Sequence, residues 1–392
     1  MRCASGATRY DPLDHCLMRT PICHRLGCEV PIFAFSHCRD VVVEVTRAGG
    51  FGVLGAATFS PGQLETELRW IDSKTGGKPY GVDVIIPSTY DAEAERAMGD
   101  LDRLIPPEHR AFMDKLLADE GVPPLPPGER ERIQRDIVEG RGSMTPDGAR
   151  RLVEVALRHP QVRMIVSALG TPPADVTAHI RSKGVVIGAM CGKAAHARRQ
   201  REAGVDLIVA QGTEAGGHTG DIASMVLLPQ VVEACGPDVP VLAAGGITRG
   251  SQIAAALAMG AQGVWCGTVW LGTRESELDP FEKQAVFAAR SEDAVRRRAR
   301  TGKTVRMIRS KLSEAWEQPG APGYLPTPLQ GVLYNEAHAR VVRARRADLY
   351  SFPVGQAVCD VNEEQSVRDV MTRMQTEYLD AVERLTALNR EE

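Results

Sequence analysis

No run of about 18 or more apolar residues occurs in the chain, and Met1 to Cys16 holds no apolar core of the kind that opens a secretory leader. A membrane-spanning helix and secretion are therefore not expected, and a cytoplasmic location is. Charge of one sign is also missing: 47 basic residues stand against 50 acidic ones, a net of -3. With no whole-chain field to draw in phosphate backbones or anionic lipid, neither nucleic acid nor membrane is an expected partner. Two arginine clusters, Arg296 to Arg298 and Arg343 to Arg346, lie in helix-like stretches with interspersed apolar residues and read as solvated faces.

Cysteine pairing is absent too. The nine cysteines, Cys3, Cys16, Cys23, Cys28, Cys38, Cys191, Cys235, Cys266 and Cys359, are an odd and scattered set that gives no disulfide framework and reads as reduced, partly buried thiols. Cys23, His24, Cys28, His37 and Cys38 crowd one segment, but no Cys-x-x-Cys pair occurs there, so no metal site is expected. There is no repeat of solenoid period and no low-complexity tract, which argues against stacked-repeat and disordered architectures.

What is present is an ordinary globular composition, 43% hydrophobic and 25% charged, over 392 residues. Along it short apolar or β-branched runs alternate with helix-like segments, often with a glycine before the next run. Candidate strands begin near Pro31 (PIFAFS), Phe51 (FGVLG), Tyr80 (YGVDVIIP), Val162 (VRMIVSAL), Val185 (VVIGAM), Val205 (VDLIVAQG), Val239 (VPVLAAGG) and Gln262 (QGVWCGT). Between the last two, Ile253, Ala254, Leu257 and Ala258 share a helical face that Gly260 closes as a C-cap would. Runs such as VPVLAAGG do not alternate polar with apolar, which fits strands covered on both faces of a parallel sheet. Strand-helix units in this number predict an α/β fold, a (β/α)8 TIM barrel rather than an open doubly wound sheet.

Between the third and fourth strands the chain is about 55 residues longer than a βαβ unit requires, so a helical insertion is expected there. The expected organisation is an N-terminal segment over 1–30, the barrel over 31–275 with an insertion at about 88–160, and a helical C-terminal extension over 276–392 that packs on the barrel. Its last helix, about Glu364 to Asn389, spaces Val367, Val370, Met371, Met374, Tyr378 and Val382 by three or four.

In such a barrel chemistry gathers at the carboxyl ends of the strands, and phosphate groups are commonly held after the seventh and eighth. Here those ends read Ala243-Ala244-Gly245-Gly246-Ile247 and Gly267-Thr268. Glycines let backbone N–H groups approach phosphate oxygens, a helix N-terminus just beyond adds a favourable dipole, and Thr268 offers a hydroxyl. After the sixth strand, Gln211 to Gly220 places His218 among Gly212, Gly216, Gly217 and Gly220. An imidazole, with its ordinary pKa of about 6.5, suits a general base or a donor to an anion. An ordinary glycine turn and a turn-capping histidine are the structural alternatives.

From Gly204 to Thr268 the chain resembles the FMN-dependent nitronate monooxygenases and their relatives, the FMN-dependent enoyl-acyl-carrier-protein reductases. The matching stretches are AGVDLIVAQGTEAGGHTG, PVLAAGGITRG and ALAMGAQGVWCGT, with AGGFGVLGAATFSPGQL upstream. The similarity covers about residues 20 to 275, and TGKTVRMIRSKLSEAW and TPLQG are similar to a branch of the monooxygenases. The resemblance implies FMN at the carboxyl face, bound by Gln211, Gly212, Gly216 and Gly217 and, around its phosphate, by Ala244, Gly245, Gly246, Cys266, Gly267 and Thr268. It also implies that His218 is the catalytic histidine. Phe35, Ser36 and His37 would border the flavin where many relatives have Ala-Pro-Met, Asp83 stands where relatives usually have Asn, and Trp265 where Gln is common. Whether His37 and Cys191 touch the flavin stays open.

The implied reaction passes the electrons of a nitronate to FMN and then to dioxygen, giving a carbonyl compound and nitrite. A small anionic substrate and dioxygen are the expected partners, and homo-oligomer formation stays open. Two alternatives share the same loops: an enoyl-thioester reductase using NAD(P)H, and a flavin- or phosphate-binding barrel without catalysis. The insertion and the long extension favour a covered pocket for a small substrate over an open groove.

Overall fold

The computed structural model describes residues 18–88, 101 and 103–388. Cys3, Cys16, the early part of the expected insertion and Asn389 lie outside the described residues.

Eight parallel strands close a barrel in the order β1 (Ile32–Ser36), β2 (Phe51–Gly55), β3 (Tyr80–Val84), β4 (Val162–Ser167), β5 (Val186–Cys191), β6 (Leu207–Gln211), β8 (Val241–Ala244) and β9 (Gly263–Cys266). Closure comes from β9 pairing with β1, with Phe33 opposite Trp265. Every candidate strand forms, and the barrel is the TIM barrel that the apolar runs predicted. The residues alternate between two apolar layers. Phe33, Phe51, Val53, Met164, Val166, Leu207, Val209, Leu242, Ala244 and Trp265 fill the interior, while Ile32, Ala34, Ile208, Ala210, Val241, Ala243, Val264 and Cys266 face helices. Both faces are buried, which is why the strands read as continuous apolar runs. A short helix, α1 (Pro21–Leu26), adds Ile22, Cys23 and Leu26 to the interior core. Thr20 Oγ1 donates to Gln262 O at 2.6 Å, so this segment plugs the amino-terminal end of the barrel.

The barrel is wrapped by α2 (Arg39–Arg47), α3 (Pro61–Lys74), α6 (Pro146–Leu157), α7 (Ala174–Ser182), α8 (Ala194–Glu202), α9 (Ser224–Cys235) and α10 (Gly250–Ala258). Two further helices of the insertion, α4 (Pro107–Asp119) and α5 (Glu129–Ser143), precede α6, and the extension carries α11 (Pro280–Ala288), α12 (Lys311–Ala315), α13 (Leu329–Arg343) and α14 (Val367–Ala387). Insertion and extension share one core: Met113, Leu117 and Val122 pack with Phe281, Leu312, Trp316, Leu333, Tyr334 and Tyr350. Arg340, 5% exposed, stitches them by donating to Pro123 O at 3.0 Å and Val122 O at 3.1 Å and pairing with Asp114 at 2.7 Å.

The extension is not helical throughout. Ala294–Arg297 (β10) and Val305–Ile308 (β11) form an antiparallel pair, to which the two-residue strand β7 (Gly217–His218) adds. Arg296 and Arg297, expected in a helix-like stretch, therefore lie in a strand, where they pair with Asp221 at 2.6 Å and Glu314 at 2.8 Å. Pairing against the fully buried β11 overrides the local helical spacing.

The last helix packs on α10 at backbone contact. A Cβ on Gly250 would lie 2.0 Å from Met374 O, and Glu377 Oε2 accepts the Gly250 N–H at 2.7 Å. Val367, Val370, Met371 and Met374 are buried as the spacing predicts, whereas Val382 is 38% exposed because the helix runs on past Ala381. Among the described residues no helix is long and apolar enough to cross a membrane.

Candidate active site

At the carboxyl mouth, the turn after β8 sets Gly245 at φ +108° and Gly246 at φ +69°, a region that side-chain-bearing residues rarely enter. A Cβ on Gly245 would stand 3.2 Å from Gly212 O, and one on Gly246 would stand 3.2 Å from the Glu214 side chain. Among the described residues, the N–H groups of Gly245, Gly246, Gly267 and Thr268 meet no protein acceptor. Unpaired donors on neighbouring strand ends are groups that could cradle an anion. The N-terminus of α10, expected to add its dipole, is already capped. Gly250 N–H goes to Glu377, and Gln252 Oε1 accepts from Thr248 N at 2.8 Å and Arg249 N at 3.0 Å.

The loop after β6 is braced from below and above. Both Glu214 carboxylate oxygens accept the Ser224 N–H at 3.0 Å, and Oε2 also accepts the Ser224 hydroxyl at 2.7 Å. A Cβ on Gly212 would lie 2.1 Å from Ser224 Oγ, so that glycine is required by the brace itself. From above, the segment Val354-Gly355-Gln356 lies across the loop. Gln356 N–H donates to Glu214 O at 2.9 Å, and Cβ atoms on Gly216 and Gly355 would meet Val354 C at 2.7 Å and Glu214 O at 2.8 Å. Gly355 N–H also donates to Thr268 Oγ1 at 2.8 Å, which leaves the Thr268 hydroxyl hydrogen free for another acceptor.

His218 sits in β7, opposite Val305 of β11, and Arg306 Nε anchors this sheet to Thr213 O at 2.9 Å. Its Nε2 is 3.0 Å from Thr301 Oγ1. The Thr301 hydroxyl is also within 3.3 Å of Lys303 O, and the tautomer with Nε2–H donating to Thr301 leaves Nδ1 as the basic nitrogen. One side of the ring is exposed, but the surrounding protein removes enough water that desolvation lowers its pKa, helped by the cations of Lys303 and Arg300. The imidazole is thus neutral at neutral pH. Arg300 lies 5.2 Å from the Tyr334 ring, and its buried Nη1 has no hydrogen-bond partner.

The floor of the mouth is apolar. Phe35 stacks on Trp265 at 6.0 Å and meets His37 edge-on at 5.2 Å, and His37 Nδ1 lies 2.8 Å from Gly55 O. Asp83, 2% exposed, falls on the inward side of β3, since Tyr80, Val82 and Val84 pack outward. Its Oδ2 has no partner, and burial raises its pKa well above the carboxylate range.

The ends of β1, β3, β6, β8 and β9 thus bring Phe35, His37, Asp83, Gln211, Ala244, Gly245, Gly246, Gly267 and Thr268 to one mouth, with Gly216, Gly217 and His218 at its rim. Ser36 Oγ accepts the Cys38 N–H at 3.1 Å, and the thiols of Cys266 and Cys191 belong to the helix-facing layer, where burial pushes each pKa up to about 12. Sequence reading missed Arg300, Thr301, Lys303 and the Val354-Gly355-Gln356 strap, all brought in by tertiary packing.

The family model for nitronate monooxygenases matches residues 37–377. The chain belongs to the nitronate monooxygenase family. It is 48% identical over 380 residues to Rv1533 of Mycobacterium tuberculosis, a protein named only to the level of monooxygenase, covering 95% of this chain and 99% of that one. A Staphylococcus haemolyticus protein named as a nitronate monooxygenase is 27% identical over 314 residues, covering 77% of this chain and 80% of the relative. Among solved structures, nitroalkane oxidase from Streptomyces ansochromogenes superposes with a TM-score of 0.73 at 28% identity, over 91% of this chain and 98% of that one. FabK from Thermotoga maritima shares the fold, with a TM-score of 0.69 at 24% identity over 95% and 99% of the two chains. Like the rest of its family, the chain is an oxidoreductase of the nitronate monooxygenase type.

Proposed function

We propose that this chain binds FMN at the carboxyl mouth of its barrel and oxidises nitronates, or nitroalkanes after proton removal, with dioxygen to a carbonyl compound and nitrite. Family membership implies a flavin. The unpaired N–H donors of Gly245, Gly246, Gly267 and Thr268 suit a phosphate, and the unpartnered Asp83 Oδ2 together with the stacked Phe35 and Trp265 suits a planar ring with polar edges. When bound, the flavin would accept the substrate's electron pair and pass it to dioxygen.

The observation that carries the reading is the place of His218 on the mouth's rim beside Arg300 and Lys303, where desolvation and these cations lower its pKa. With Nε2–H held on Thr301, Nδ1 takes the α-proton of a neutral nitroalkane. The two cations favour the nitronate that results and attract one that arrives already charged. The Gly355 strap narrows the mouth, keeping water from the reacting face.

Oxygen uptake and nitrite release test this with purified FMN-loaded protein. Stoichiometric nitrite from a nitronate supports it, and oxygen uptake no faster than with buffer contradicts it.

A further inference from the structure

Asp83 is the last inward-facing residue of β3, so its carboxyl marks the top of the barrel interior beneath the proposed ring site. On either side it is flanked in register by Gly55 of β2 and Val166 of β4, neither of which offers a side-chain donor or a charge. His37, beyond the end of β1, has its Nδ1 2.8 Å from Gly55 O. No ion pair reaches Asp83 among the described residues, its side chain is 2% exposed, and Oδ2 has no hydrogen-bond partner. A carboxylate is not readily kept ionised in such a place: with no cation paired to it among the described residues and Oδ2 without a donor, the group takes a proton, and the resulting O–H needs an acceptor.

We propose that Asp83 is a protonated carboxylic acid in the working protein and that its O–H donates to an acceptor atom on the edge of the bound flavin ring. The inference rests on the cofactor reading above. The neutral state follows from burial with no cation paired among the described residues, and the ligand supplies an acceptor for the unpartnered Oδ2. A neutral acid here presents one donor and one acceptor, as an amide would, so Asp83→Asn keeps the pattern while Asp83→Leu removes both at similar volume.

Infrared difference spectra, wild type against Asp83→Asn, taken at pH 7 on apo and FMN-loaded protein, read the proton directly. The expected result is a protonated-carboxyl C=O band in wild type that Asp83→Asn lacks, shifting when FMN is added. In parallel, Asp83→Asn should bind FMN within about threefold of wild type and Asp83→Leu about tenfold or more weakly. A carboxylate band at pH 7 in place of the acid band overturns the proposal, as does wild-type FMN affinity in Asp83→Leu. If wild type takes up no FMN, the cofactor reading fails and the donor assignment with it, while the band in apo protein still reports the protonation state.

Discussion

Thr268 Oγ1 accepts the backbone N–H of Gly355 at 2.8 Å, across 87 residues of sequence. The bond ties the end of β9 to the strap that also holds Glu214 O, so one polar link fixes the floor and the cover of the mouth. Gly355→Ala would place a Cβ 2.8 Å from Glu214 O and push the strap outward. It should weaken FMN binding by about tenfold, the equivalent of one lost hydrogen bond. Flavin fluorescence titration checks this, and unchanged affinity would show that the strap plays no part in retention.

Gly246 tests the cradle without disturbing the strap. At φ +69° an alanine costs about 1–2 kcal/mol of backbone strain, and relief of that strain would turn the N–H away from the anion. Gly246→Ala should lose FMN while inorganic phosphate no longer competes for the site. Wild-type FMN affinity in this variant would remove the cradle from the account.

His218 predicts a pH profile. A base whose pKa lies below 6.5 is ionised only in acid, so kcat/KM for a neutral nitroalkane should rise with pH through that lowered pKa and stay flat above it. His218→Ala should keep its FMN but oxidise the nitroalkane about 100-fold more slowly, with a much smaller loss for the preformed nitronate. Arg300→Met removes one of the cations that depress the imidazole, so the rising limb should move to higher pH. An unmoved limb would show that Arg300 does not depress the His218 pKa.

Gly250 sets helix propensity against packing. In an isolated helix Gly→Ala gains about 1 kcal/mol, but here the new Cβ would meet Met374 O at 2.0 Å. The steric term should win, and Gly250→Ala should destabilise the protein by about 1–3 kcal/mol in thermal or urea unfolding. Stabilisation would mean that α14 is free to move away.

The barrel was legible because its strands are buried on both faces, so the apolar runs themselves marked β1 to β9 apart from β7. The position of Gly245, Gly246 and Gly267 at the strand ends, and of His218 in the loop after β6, was legible because turns at strand ends carry their signal locally. Gly212 was picked out for approach to a ligand, and the structure adds a packing requirement against Ser224 that the sequence did not mark. Arg300, Thr301 and Gly355 carry no local mark: each reaches the mouth through pairing or packing over 80 or more residues, as the 83-residue span from His218 to Thr301 illustrates. The Arg296 segment became β10 rather than an apparent helix through pairing with the nearby β11, where Arg297 lies opposite Val305 and Ala294 opposite Ile308.

Anaerobic mixing of the FMN-loaded protein with a nitronate, followed through the visible absorbance of the bound flavin, tests the proposed oxidation most directly. Rapid bleaching by the nitronate, with none of comparable rate by NADPH, is the predicted result. Bleaching by NADPH with none by the nitronate would contradict it.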